Sequence, residues 1–134
     1  MSGQFGHAHT VARVLVASLF FFAFSGKVTN YDFMVGLSTQ MGIPFAGFFK
    51  PFVMALEVVG GLSLLFNRYV WVSALLLAGY IVFVTPFFHF DWTDPVSGPQ
   101  HAVSVFDNLA IIGGLFALYA MDPSRPGRLK QAGF

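Results

Sequence analysis

The sequence contains no cysteine and very little charge, and both absences restrict what the chain can do. Without cysteine, the chain has no disulfide, no thiol nucleophile, no iron–sulfur cluster and no covalently attached c-type haem. Only 10% of its 134 residues are charged, whereas a soluble domain usually carries about a quarter. The net charge of +1 provides no basic surface for nucleic acid, so we expect no nucleic-acid partner. Any redox chemistry therefore depends on a bound cofactor or on a partner protein.

Hydrophobic residues make up 56% of the chain, and they occur in four long runs. Each run is close to the roughly 20 apolar residues that a helix needs to cross a bilayer. The sequence therefore predicts an all-α integral membrane four-helix bundle, with residues 1–134 in a single domain. The predicted spans cover about residues 11–27, 45–66, 69–88 and 102–121. Residues 1–9 are polar and predict a flexible start, and residues 122–134 predict a basic cytoplasmic tail.

The segment between spans one and two, residues 28–44, has apolar side chains at helical spacing. These side chains predict a short amphipathic helix that lies at the membrane interface: Phe33, Met34, Leu37 and Met41. Gly42 and Pro44 follow and are typical of a helix end.

The even number of spans places both termini on one side of the membrane. That side carries more basic residues than the other: Arg13, Arg68, Arg125, Arg128 and Lys130 against Lys27 and Lys50. Because basic residues are enriched on the cytoplasmic side, both termini are predicted to be cytoplasmic, in the inner membrane of a bacterium or archaeon. Membrane lipid is thus a predicted partner, and we expect Arg13 to extend towards lipid phosphates.

Glu57, near the middle of the second span, is the strongest functional signal in the sequence. A carboxylate at that depth is costly, so it should face other helices or a wet cavity. Gly60 and Gly61 follow on the same helical face and let a neighbouring helix approach closely. Two interpretations stay open. Glu57 exchanges protons or hydrogen bonds with a bound headgroup such as a quinone, or it is a structural carboxylate paired with another helix.

The other three spans also supply polar groups to the half of the bundle opposite the termini. Lys27 ends the first span, His89 follows the third, and Asp107 and Asn108 lie in the fourth. Asp107 shares a helical face with Gly114, so it is predicted to point into the bundle. Asn108 could bind across a helix interface or cap the end of the span. This convergence predicts either a small cavity for a polar-headed molecule or a structural network.

A metal site is a weaker possibility, since His89, Asp91, Asp94 and His101 all belong to one loop region. Imidazole and carboxylate groups together can hold zinc or iron. Their spacing matches no strong metal signature, however, and we expect no metal site. Haem is also not expected, because no histidine lies deep within a predicted span.

Several short motifs along the chain resemble the DoxX family over about residues 11–121. They are Arg13 opening span one, Ser25-Gly26-Lys27 closing it, Glu57 followed by Gly60-Gly61-Leu62, Phe88-His89, and Asn108-Leu109-Ala110 leading to Gly113-Gly114-Leu115. The resemblance implies a four-span helical membrane protein. Some DoxX members are subunits of a thiosulfate:quinone oxidoreductase, and others are linked to membrane oxidoreductase complexes in oxidative-stress defence.

Residues and resemblance together favour a quinone-associated subunit of a membrane oxidoreductase that is not catalytic alone. In this hypothesis Glu57 and Asp107 are proton or hydrogen-bond partners of the quinone, Lys27 or His89 polarises a carbonyl oxygen, and Asn108 completes the binding site. One alternative is a non-catalytic assembly subunit of a larger membrane complex, with a structural polar cluster. Another is a small-molecule carrier, which at this length would need a homo-oligomer to form a pathway.

Overall fold

The computed structural model describes residues 2–89 and 92–127, and five helices account for most of them. The helices are α1 (Ser2–Thr29), α2 (Tyr31–Gln40), α3 (Ala46–Phe66), α4 (Val70–His89) and α5 (Gly98–Met121). By length and composition, α1, α3, α4 and α5 can each cross a membrane. The ten-residue α2 lies between the first two of these, where the amphipathic helix was expected. The predicted all-α, four-span architecture is confirmed.

Two helices start earlier than the predicted spans. Helix α1 begins at Ser2, so the flexible start predicted for residues 1–9 is wrong from residue 2 onwards. The Thr10 hydroxyl donates to the carbonyl oxygen of Gly6 at 2.9 Å, which adds to the local hydrogen bonding of this polar turn. Helix α5 begins at Gly98, with a proline in its first turn, where a missing backbone N–H removes no helical bond. The end of the predicted tail, residues 128–134, lies outside the described residues.

The four long helices form a bundle whose apolar core occupies one end. We call the end where α1 begins and α5 finishes the lower end, and the opposite end the upper end. The core is built from fully buried side chains of α3, α4 and α5 in the lower half: Leu64, Leu77, Leu115 and Leu118. Phe20 and Ile81 close this core from above. The upper half of the bundle also buries charged side chains, among them Lys27, Lys50 and Glu57.

Two side chains form hydrogen bonds with the backbone on either side of the turn that joins α3 to α4 at the lower end. Arg13 Nη1 donates to the carbonyl oxygens of Leu64 and Leu65 at 2.9 and 3.2 Å. These carbonyls belong to the last turn of α3, where the partial negative charge of the helix end favours a cation. Asp122 Oδ2 accepts from the backbone N–H of Trp71 at 2.8 Å, in the first turn of α4. The expectation that Arg13 extends to lipid phosphates is wrong, because the residue is only 7% exposed and its guanidinium caps α3.

The glycine pair after Glu57 is where α3 meets its neighbours most closely. A Cβ atom at Gly60 would lie 2.9 Å from Leu77 Cδ1 on α4, and one at Gly61 would lie 3.0 Å from Phe21 Cζ on α1. Side-chain atoms rarely approach so closely, so the two glycines allow both helices to pack on α3. The related pair on α5 differs. A Cβ at Gly114 would meet Val16 Cγ2 only at 4.0 Å, so that position has room for a methyl group.

We expect Gly60→Val to destabilise the bundle by about 1–3 kcal/mol, because the added branches would push Leu77 out of a fully packed site. The matched control is Gly113→Val, since a Cβ there would meet no described atom within 4 Å. Thermal unfolding of both variants in the same detergent measures the difference. Equal melting temperatures for the two variants would show that α3 and α4 are not in close contact at Gly60.

Candidate functional site

A buried ion pair joins α1 to α3 in the upper half of the bundle. Lys27 Nζ lies 2.7 Å from Glu57 Oε1, and the two side chains are 9% and 1% exposed. The Tyr80 hydroxyl of α4 donates to the same oxygen at 3.2 Å. Lys27 also donates to the carbonyl oxygen of Ala23, one turn back on its own helix, at 3.4 Å. Three helices therefore meet at a single carboxylate oxygen.

The second oxygen of the same carboxylate is different. Glu57 Oε2 is buried and has no hydrogen-bond partner among the described residues. A buried polar atom without a partner costs about 1–3 kcal/mol, and more when it belongs to a charged group. The ion pair thus fixes one oxygen of Glu57 and leaves the other as an unused acceptor.

Glu57 lines a cavity of about 300 Å³ between the upper halves of the four long helices. This volume is at the small end of the range for ligand pockets, about 300–1,000 Å³. The polar and charged side chains on its wall come from all four long helices: Lys27, Lys50, Glu57, Tyr80, His89 and Asn108. The rest of the wall is mainly apolar, with Phe49, Val53 and Phe88 among its residues, and α2 contributes Met34. Four of the five predicted site residues are brought together here, and Asp107 is not.

Asp107 lies on the exposed surface of α5, so the prediction that it points into the bundle is wrong. The inward residue is its neighbour Asn108, which lines the cavity and donates from Nδ2 to Thr85 Oγ1 on α4 at 3.0 Å. Successive residues of a helix point about 100° apart, so the two cannot share the interior. Ile111 of the cavity wall and the fully buried Leu115 lie on the same face as Asn108.

Lys50 is a cavity residue that the sequence reasoning missed. Its side chain is 3% exposed, and its ammonium lies 5.8 Å from the centre of the Phe88 ring, within range of a cation–π interaction. Within the described part of the chain, no carboxylate forms an ion pair with Lys50. The cavity therefore holds two lysines and one glutamate. Lys50 precedes Glu57 by about two helical turns, a spacing that puts both on one face and could have identified it.

Tyr80 is the second residue that was missed. It lies in the middle of α4, and its hydroxyl is the one polar side-chain group in the run LLLAGYIVFV. A buried tyrosine hydroxyl usually finds a hydrogen-bond partner, which here is Glu57. A lone tyrosine far from the predicted span ends was the available signal, because tyrosines of membrane helices concentrate at the two interfaces.

The histidines of the upper end pair with each other. His89 Nδ1 and His101 Nδ1 are 3.3 Å apart, which requires one neutral ring to donate and the other to accept. Asp94 accepts from the backbone N–H groups of Ser97 and Val96, and these bonds lower the pKa of its carboxyl below the ordinary value. Asp91 lies outside the described residues. Among residues 2–89 and 92–127, no three histidine or acidic side chains are grouped to hold a metal ion.

The fold and the cavity define a class: a small integral membrane protein of four spans with a buried carboxylate, two lysines and a tyrosine around a cavity in the upper half of the bundle. The family model for DoxX matches residues 8–90, and the chain belongs to the DoxX family. The matched range contains Lys27, Lys50, Glu57 and Tyr80, and it ends before α5 begins.

A relative with a similar sequence is known in Escherichia coli (strain K12). The chain is 34% identical over 113 residues to the inner membrane protein YqjF, an alignment that covers 84% of this chain and 82% of YqjF. No solved structure matches the chain.

Proposed function

We propose that this protein is a membrane subunit of a quinone-linked oxidoreductase and that it holds a quinone head in the cavity around Glu57. The observation that carries the proposal is that the two oxygens of the Glu57 carboxylate have different surroundings. Oxygen Oε1 is fixed by Lys27 and Tyr80, whereas Oε2 is buried and has no donor among the described residues, in a side chain that lines the cavity. An ion pair that serves only stability gains most when both oxygens are hydrogen-bonded.

The cavity residues fit a quinone head. A bound quinone supplies two-electron chemistry coupled to two protons. Glu57 Oε2, while ionised, can only accept a hydrogen bond, so it fits a hydroxyl of the reduced head. The Lys50 ammonium can donate to an oxygen of the head, and the rings of Phe49 and Phe88 provide apolar walls. We therefore expect the cavity to favour the reduced, hydroxyl-bearing head over the oxidised one.

The chain's own residues then act by binding and by holding a proton. Lys27 and Tyr80 keep the Glu57 carboxylate in place, and that carboxylate would accept the proton of the bound head. The sequence supplies no cysteine for thiol or iron–sulfur electron transfer. We therefore assign the electron carrier to a partner protein of the membrane complex, with this chain not catalytic alone.

We further propose that the protein lies in the cytoplasmic membrane of a bacterium with both termini in the cytoplasm. YqjF is an inner membrane protein, and Arg13, Arg68 and Arg125 all lie at the lower end of the bundle. Arg128 and Lys130, which also entered the prediction, lie outside the described residues. An excess of basic residues marks the cytoplasmic side, so the cavity would open in the opposite half of the membrane.

The proposal is tested by the affinity of the protein for a tail-less benzoquinol, kept reduced and titrated against purified protein in nanodiscs. Glu57→Gln removes the anionic acceptor but keeps an oxygen for Lys27. We expect it to weaken binding about 10- to 100-fold, since hydrogen bonds to charged groups contribute about 1.5–3 kcal/mol. Asp107→Asn is the matched control, because Asp107 is exposed on α5 and does not line the cavity. Unchanged affinity in Glu57→Gln would refute the role given to Glu57.

A second candidate function is an assembly subunit without a ligand, and α5 is the observation that favours it. Only three residues of this helix are buried, Gly98, Leu115 and Leu118, so most of its surface is available to another subunit or to lipid. In this case the wild-type protein would not bind the benzoquinol, and the Lys27–Glu57 pair would serve only to join α1 and α3.

A further inference from the structure

A second recess lies on the outside of the bundle, between α3 and α4. It is a groove of about 530 Å³ whose walls are almost entirely apolar. Helix α3 contributes Phe52, Leu56 and Val59, and α4 contributes Leu76 and Phe83. From Phe52 to Val59 the groove follows α3 for about 10 Å, at about 1.5 Å per residue. Its length thus lies along the direction of the helices.

The groove adjoins the cavity. Phe49, Val53 and Tyr80 line both spaces. Tyr80 lies between the cavity and the groove. The residue lines the groove, and its hydroxyl donates a hydrogen bond to Glu57, which lines the cavity. The Phe49 and Phe83 rings lie 5.5 Å apart between their centres, at the part of the groove nearest Lys50. A molecule whose head lies in the cavity would pass these shared side chains to place its tail in the groove.

Gly79 of α4 has no side chain and so leaves room in the groove. A Cβ atom at Gly79 would meet no described atom within 4 Å, and the residue is exposed on the bundle surface. A larger residue at Gly79 would therefore occupy the groove without displacing the packed core. This property makes Gly79 a position at which the groove alone can be blocked.

We infer that the α3–α4 groove binds the isoprenoid tail of the quinone whose head occupies the cavity. The inference rests on the proposed function and specifies its ligand as a lipid-soluble quinone rather than a water-soluble one. The tail would stay in the hydrocarbon region while the polar head lies against Glu57 and Lys50. Because lipid tails are as apolar as the groove, the groove contributes through close packing, and we expect a moderate effect on affinity.

The test compares Gly79→Leu with Gly113→Leu, an exposed glycine on α5 where a Cβ also meets no described atom within 4 Å. Each variant is titrated with the tail-less benzoquinol and with the same head carrying a decyl tail. We expect Gly79→Leu to bind the tailed quinol about tenfold more weakly, or about 1.4 kcal/mol, and the tail-less one unchanged. Gly113→Leu should bind both as wild type does.

The two proposals fail in different ways. Equal affinity of both leucine variants for the tailed quinol would overturn the tail site, while Glu57-dependent binding of the tail-less head would still support the cavity. Absence of tail-less binding in the wild-type protein would overturn the proposed function and the tail site with it. As a second readout, a quinol with a diazirine at the end of its tail should label peptides of α3 and α4. Labelling confined to α1 or α5 would contradict the inference.

Discussion

Replacing Lys27 with methionine is expected to destabilise the protein by about 3–5 kcal/mol, the usual cost of removing one partner of a buried ion pair. Lys27 Nζ and Glu57 Oε1 are 2.7 Å apart, and both side chains are nearly inaccessible. Without the ammonium, the Tyr80 hydroxyl would be the one donor that the described residues offer to the Glu57 charge. The measurement is the free energy of unfolding in mixed micelles, with Arg68→Met, an exposed cation at the lower end, as the control.

The double variant Lys27→Met/Glu57→Met separates loss of the pair from loss of packing. Replacing both members of a buried pair with apolar residues is often neutral or stabilising, so the double variant should recover most of the stability lost in Lys27→Met. If Lys27→Met were as stable as wild type, the ion pair would not hold α1 to α3. A double variant less stable than Lys27→Met would show that the site depends on side-chain shape rather than charge.

Lys50→Met is expected to have the opposite effect on stability, although Lys50 lines the same cavity. Lys50 is 3% exposed, and its described surroundings provide a ring contact with Phe88 but no ion-pairing carboxylate. Burying a polar group with incomplete compensation costs about 1–3 kcal/mol, so removing it should raise the free energy of unfolding by a similar amount. A residue that costs stability in this way is typical of a binding site.

The same variant should bind the tail-less benzoquinol about tenfold more weakly, because the Lys50 ammonium would no longer donate to the head. Higher stability together with weaker binding assigns Lys50 to the ligand. Lower stability with unchanged binding would instead make Lys50 a structural residue, and the cavity would lose one of the two groups on which the proposal depends. Titration and unfolding of the same preparation give both results.

Much of the fold follows from the sequence because each membrane helix must satisfy its own backbone hydrogen bonds. Four apolar runs predict four helices, and amphipathic spacing predicts α2. The depth of Glu57 in its span was equally predictable, as was the location of Lys27 and His89 in the same half of the bundle. These predictions need only counting along the chain, since an even number of antiparallel spans fixes which ends lie together.

The faces of the spans were harder to predict. A membrane helix is apolar both where it packs and where it contacts lipid, so hydrophobicity does not distinguish inside from outside. Asp107 and Asn108 show the consequence, because the choice between two adjacent residues depended on the rotation of α5 against α4. Arg13 shows a second limit. Its partners are carbonyl oxygens of Leu64 and Leu65, about fifty residues away, and no local pattern predicts such a contact.

The most direct test of the cavity proposal is native mass spectrometry of gently solubilised protein, with solvent extraction and quinone analysis of the same sample. We expect a stoichiometric quinone on the wild-type chain and on Asp107→Asn, and its loss from Glu57→Gln. A larger complex in which this subunit carries no quinone would contradict the proposed function. The Lys27–Glu57–Tyr80 cluster would then be part of the architecture of an assembly subunit.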